Sequence, residues 1–185
     1  MSPRLQCANK KATLNTGALN LLPRVSLHLK KFVGNIIAGG MVLNQDFKEF
    51  IQSLNDNNVR YLVIGGYAVA YHGHPRYTKD IDIWIEVNRE NAAKLVKALD
   101  DFGFSSLGLK EEDFLELGGV IQLGYPPSRI DIVTSPDGVD FATCYSARVS
   151  TEIDGVKVNF IDLENLKRNK RASGRNQDLA DVENL

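Results

Sequence analysis

From residue 44 onward, apolar and polar positions alternate in patterns that predict short, distinct elements. In NQDFKEFIQSLNDNN (44–58), Phe47, Phe50, Ile51 and Leu54 recur at the spacing of one helix face, and Asn44 stands where an N-cap belongs. YLVIGG (61–66) is an apolar strand ending in a glycine pair, and YAVAYHG (67–73) is a short helix of small residues. DIDIWIE (80–86) alternates with the period of two that a strand requires. NRENAAKLVKALDDFGF (88–104) is an amphipathic helix capped by Asn88. VIQLGY (120–125) and RIDIVTS (129–135) are two strands, and Tyr125-Pro126-Pro127-Ser128 turns one into the other. SARVSTEIDGVKVNFID (146–162) is a second hairpin, with Asp154-Gly155 as its turn. LENLKRNKRASGRNQDLADVENL (163–185) is one helix broken near Gly174, or two helices.

This order predicts an α+β domain built on a small mixed β-sheet flanked by helices. It is not a regular βαβ repeat, and Gly65-Gly66 lacks the G-x-G-x-x-G spacing of a dinucleotide-binding turn. No internal repeat or low-complexity tract is present.

Composition adds a boundary. The chain has 185 residues, of which 43% are hydrophobic and 24% charged, which suits one globular domain with an added segment. The net charge of −1 conceals an asymmetry. Residues 1–40 hold Arg4, Lys10, Lys11, Arg24, Lys30 and Lys31 and no acidic residue. The remainder keeps 16 of the 22 basic residues and all 23 acidic ones, a balance of −7. A domain this acidic is a poor general binder of nucleic acid, although a local basic patch can still hold one nucleotide or one RNA end. The basic first forty residues read as an extension outside the folded core, with Met41 opening the domain that runs to residue 185. A targeting segment and a membrane-surface helix around residues 21–38 are the competing readings. Arg24, Lys30 and Lys31 interrupt the most apolar stretch, so no membrane span is expected. Two cysteines, Cys7 and Cys144, make no disulfide framework and fit a reducing, cytoplasmic setting.

The chemistry is concentrated in RYTKDIDIWI (76–85), read as one extended strand. Asp80 and Asp82 share one face of it, and Thr78 and Arg76 follow in the same register, while Ile81, Ile83 and Ile85 take the other. Ionised carboxylates this close repel, so one is protonated or a cation lies between them. Asp131 in RIDIV is a third carboxylate framed by isoleucines. If the two strands pair side by side, three hard oxygen ligands converge, a set suited to Mg²⁺ or Mn²⁺ with substrate phosphates. A lone D-x-D is weak, because alternating Asp and apolar residues also describe an ordinary surface strand. Gly65 and Gly66, at a strand-to-helix junction, add backbone amides that can approach a phosphate, although a tight turn or close helix packing also calls for glycine.

In that combination, IGGYAVAYHGHPRYTKDIDIWIE with the later RIDIV resembles the DNA polymerase beta-like nucleotidyltransferase superfamily. It looks most like the minimal bacterial branch that includes toxins of toxin–antitoxin and abortive-infection systems. The resemblance covers residues 44–185. It implies a metal-dependent enzyme that transfers a nucleoside monophosphate from a nucleoside triphosphate to an acceptor hydroxyl. The acceptor would be an RNA end such as that of a tRNA, a protein or a small molecule, and a toxin would have an antitoxin partner. It also implies roles: Asp80 and Asp82 on the triphosphate-bound metal, and Asp131 on a second metal and at the acceptor hydroxyl. Gly65, Gly66 and Thr78 would meet the outer phosphates and Arg76 the leaving pyrophosphate. Lys170, Arg171 and Arg175 lie in a C-terminal Lys…Gly-Arg…Asp…Asp pattern that also resembles this branch. They would reach the triphosphate or an RNA acceptor, or else form a solvated helix face with local charge pairs.

His72 and His74 lack a third nitrogen or thiolate ligand and read as structural. Trp84, Tyr67 and Tyr71 read as packing residues and Cys144 as a small buried hydrophobe. Two other classes stand beside the enzyme. One is a catalytically silent nucleotide-binding or regulatory module of the same fold. The other is an interaction domain whose acidic strand face is plain surface.

Overall fold

The computed structural model describes residues 43–125 and 128–185. The readings for residues 1–40 and for the turn at 126–127 lie outside it. Six strands form one mixed sheet in the order β3-β4-β2-β1-β6-β5, with helices packed on it, as the α+β reading expects. The strands are β1 Tyr61–Ile64, β2 Asp80–Ile85, β3 Val120–Leu123, β4 Arg129–Val133, β5 Val149–Ile153 and β6 Val156–Phe160. The helices are α1 Gln45–Asp56, α2 Gly65–Tyr71, α3 Arg89–Phe102, α4 Phe141–Ala147, α5 Leu163–Ser173 and α6 Asn176–Asn184.

Side-chain caps set the starts of α1, α3 and α5. Asn44 accepts from the Asp46 amide, Asn88 from Asn91, and Asp162 from Asn165. Phe47, Phe50, Ile51 and Leu54 are the buried face of α1, as their spacing predicts. Phe50 meets Phe102 of α3 edge-on, and the Ser53 hydroxyl donates to the Ala98 carbonyl, so α1 and α3 lock together. Phe47 packs edge-on against Tyr67 of α2, and Tyr71 of α2 stacks on Phe160 of β6. Trp84 is buried edge-on against Phe141 of α4, and Cys144 of α4 is fully buried. His72 Nε2 donates to the Ile161 carbonyl at 2.7 Å, which makes it a structural group.

Two elements differ from the sequence reading, and a third settles between its two alternatives. β2 begins at Asp80, so residues 72–79 are a loop and Arg76 and Thr78 do not extend the strand. Helix α4 was not expected: it has only seven residues, too few to show a helical period, although its Asp140 cap accepts from the Thr143 amide. The chain after residue 162 forms two helices, because Gly174 ends α5 at a φ of 65°, a left-handed cap. The turn of the second hairpin is as expected, with Asp154 and Gly155 both at positive φ.

Candidate active site: a carboxylate cluster at the β1–β2–β4 edge

The site follows from two strand registers. β2 and β4 are parallel neighbours, with Asp82 beside Asp131 and Asp80 beside Arg129. β1 runs antiparallel to β2 and ends with Ile64 opposite Asp82. The chain then turns into α2 through Gly65, directly against the Asp82 carboxylate. A Cβ built on Gly65 would lie 1.9 Å from Asp82 Oδ2, and the backbone there has a φ of +62°, so only glycine fits. A Cβ on Gly66 would lie 2.9 Å from the Thr78 hydroxyl. The glycine pair is therefore demanded by close approach to two of the predicted site residues.

The three aspartates are brought together but are not equivalent. Asp80 accepts from the Thr78 hydroxyl at 2.9 Å and from Arg129. Asp131 accepts from Arg129 Nε at 2.8 Å, Arg129 Nη2 at 2.9 Å and Gln122 Nε2 at 3.3 Å. Asp82 receives no hydrogen bond from any described residue. Burial, and then the charges of Asp80 and Asp131, push its carboxyl up to about 6, against the pull of Lys170 and Arg175. Tyr67 lies close by; burial and then the Asp80 charge raise its hydroxyl to about 12.

The cation between the strands is an arginine. Arg129 grips Asp131 with two donors and reaches across to Asp80. It was not singled out from sequence, although its place two residues before Asp131 on an alternating strand puts both on one face. Among the described residues, no three His, Cys, Asp or Glu side chains already converge as a metal site. The donor set nonetheless fits a hard divalent cation: Asp80 and Asp82 on one strand, Asp131 beside Asp82 on the next, and Asp82 without any donor. Asp80, Asp82 and Asp131 are the residues that would hold Mg²⁺ or Mn²⁺.

The remaining predicted residues belong to a second cluster. Lys170 is buried, and its Nζ bonds Asp178 at 2.5 Å and Asp181 at 2.9 Å. It is thus not on a solvated face, a correction that follows from α6 folding back over α5. Arg76 forms a two-pronged bond to Asp181, at 2.9 and 3.1 Å, and so fastens the loop before β2 to α6. Arg175 Nε bonds Asp178 at 2.5 Å while its side chain stays 76% exposed, leaving its outer nitrogens accessible. Burial alone would raise the Asp178 and Asp181 carboxyls. Hydrogen bonds outweigh it and hold both below their ordinary value: Lys170, Ser173 and Arg175 on Asp178, and Arg76 and Lys170 on Asp181. Asp178, Asp181 and Gln122 were not predicted. The first two carried a signal, an i, i+3 pair of acids opposite a basic run.

No helix among the described residues is long and apolar enough to cross a membrane. No protein with a curated description matches the chain. A provisionally assigned nucleotidyltransferase from Thermotoga maritima is similar in structure, with a TM-score of 0.51 and 17% identity over 75% of this chain and 88% of that one. An antigenic nucleotidyltransferase-like protein from Paracoccidioides brasiliensis gives a TM-score of 0.45 and 20% identity over 76% of this chain and 75% of that one. Residues 41–185 match the family described as "Nucleotidyltransferase of unknown function (DUF6036)", a match that takes in the glycine pair, all three carboxylates and both C-terminal helices, and the chain belongs to that family.

Proposed function

We propose that the protein is a metal-dependent nucleotidyltransferase that moves a nucleoside monophosphate from a nucleoside triphosphate to an acceptor hydroxyl. The observation that carries this reading is the register of Asp82 beside Asp131, with Asp82 lacking a hydrogen-bond donor and pressed against Gly65. A half-buried carboxylate crowded by two others and lacking a hydrogen-bond donor is unfavourable when ionised, and a ligand cation removes that cost.

The acceptor oxygen attacks the α-phosphorus, and the bond from that phosphorus to the pyrophosphate oxygen breaks. The proton of the acceptor hydroxyl passes to the Asp131 carboxylate. When bound, Mg²⁺ or Mn²⁺ supplies concentrated positive charge at the phosphoryl oxygens. Asp80, steadied by Thr78, and Asp82, steadied by the Gly65 contact, orient the ligands. The exposed end of Arg175 offsets charge on the departing pyrophosphate. Arg76 and Lys170 act indirectly, by fixing the loop before β2 and the two terminal helices. The acceptor is an RNA end, a protein side chain or a small molecule. A toxin held in check by a cognate partner is one cellular setting for such an activity.

A second reading is favoured by Arg129, which already neutralises two of the carboxylates: a silent nucleotide-binding module. Labelled nucleoside triphosphates, with Mg²⁺ or Mn²⁺ and with RNA and cell lysate as acceptors, separate the two. Label should be transferred by the wild type and lost by at least about a hundredfold in Asp80→Ala/Asp82→Ala. Metal-dependent nucleotide binding without transfer would instead establish the silent module, and background binding and transfer from both proteins would defeat both readings.

A further inference from the structure

Arg129 stands where a cation between Asp80 and Asp131 belongs. It opens β4 beside Asp80, shares a face with Asp131, and binds both carboxylates. We propose that Arg129 is an exchangeable internal cation: it holds Asp80 and Asp131 together in the metal-free protein, and a divalent ion enters only as the guanidinium leaves. This deepens the metal-dependent reading above and rests on it.

Three observations carry the exchange. The first is occupancy. Arg129 and Gln122 together place three donors on Asp131, so only one of about four acceptor positions on that carboxylate is left for an ion while Arg129 stays. The second is a way out. The Arg129 side chain is 27% exposed at the first residue of its strand, whereas Lys170, the cation of the neighbouring cluster, is 4% exposed. Arg129 can therefore swing to solvent without unpacking the core, and Lys170 cannot. The third is charge. Three neighbouring carboxylates need a counter-charge for the empty site to keep its shape, and an arginine, which does not lose its proton in the accessible pH range, supplies it continuously. A metal must then displace an ion pair that already exists. Metal loading is weakened in exchange for a site that does not spring apart when empty.

The test is titration of Mn²⁺ alone into the full chain, without nucleotide, followed by calorimetry and by thermal melting with and without chelator. Arg129→Gln should bind Mn²⁺ about tenfold more tightly than the wild type, the scale of one partly exposed charged pair. With chelator it should melt at a lower temperature than the wild type, yet gain more from Mn²⁺. Arg129→Lys keeps the charge but not the two-pronged grip, and should bind with intermediate affinity; it provides the reading if the glutamine variant does not fold. Equal or weaker Mn²⁺ binding in folded variants would overturn the exchange and make Arg129 a structural ion pair. Absence of Mn²⁺ binding in every folded protein would overturn the metal-dependent function and the exchange together, so the two failures are distinguishable.

Discussion

Two clusters of mixed charge lie near enough for Lys170 and Arg175 to act on Asp82. In the C-terminal cluster, Arg76, Lys170 and Arg175 surround Asp178 and Asp181, and both carboxylates accept several short hydrogen bonds. Its carboxyls are held below their ordinary value, a mark of charges the fold stabilises. In the strand cluster a single arginine binds two of the three carboxylates, and the third, Asp82, is raised instead of lowered. With every group ionised, the first is net positive by one and the second net negative by two. Composition does not separate them, since both are aspartates among basic residues. Satisfaction does: every carboxylate of the completed cluster is bonded, whereas Asp82 of the incomplete one is not, and it is on that contrast that the proposed ligand site rests.

Breaking the completed cluster should have the largest effect. Lys170→Met leaves two buried carboxylates without their central cation and should cost about 3–5 kcal/mol in denaturant unfolding at neutral pH. The loss should shrink in acid, where those carboxyls take up protons. In the wild type both are depressed, so their contribution is complete above the ordinary aspartate range and is lost as pH falls below it. The two glycines test the comparison next. Gly65→Ala combines a positive φ with a clash against Asp82 and should cost about 2–3 kcal/mol while weakening Mn²⁺ binding. Gly174→Ala has a similar φ but open space around it, and should cost about 1 kcal/mol with Mn²⁺ binding unchanged. The smallest effect has the opposite sign. Asp82 binds its proton more tightly in the folded state than in the unfolded one. Its contribution therefore declines as pH rises from the ordinary value of 3.8 to about 6 and stays low above that. Asp82→Asn should stabilise the metal-free protein by about 1 kcal/mol at pH 7 and by nothing near pH 3. A destabilised Asp82→Asn at pH 7 would remove the contrast between the clusters.

Much of this was legible along the chain. The period of α1 and α3, the caps Asn44 and Asn88, and the Asp154-Gly155 turn are local signals, and each became the expected element. The alternation around Asp80, Asp82 and Asp131 was enough to put them on like faces. Their convergence depends on β4 pairing parallel to β2, a long-range choice that periodicity does not encode. The same limit hid the role of Lys170. Its basic neighbours suggest a solvent face, and only the fold of α6 over α5 buries it. Arg76 failed as a strand residue because the loop before β2 follows its bond to Asp181 and not its own alternation.

That bond has a consequence for synthesis. Arg76 and Asp181 are separated by 105 positions, so the loop leading into the first two site carboxylates is fastened by a residue translated long after it. A nascent chain can complete β1, β2 and β4 while Arg76 still has no anchor. The strands of the carboxylate edge are therefore translated before their clasp, and any product stopped short of residue 181 carries those strands without it.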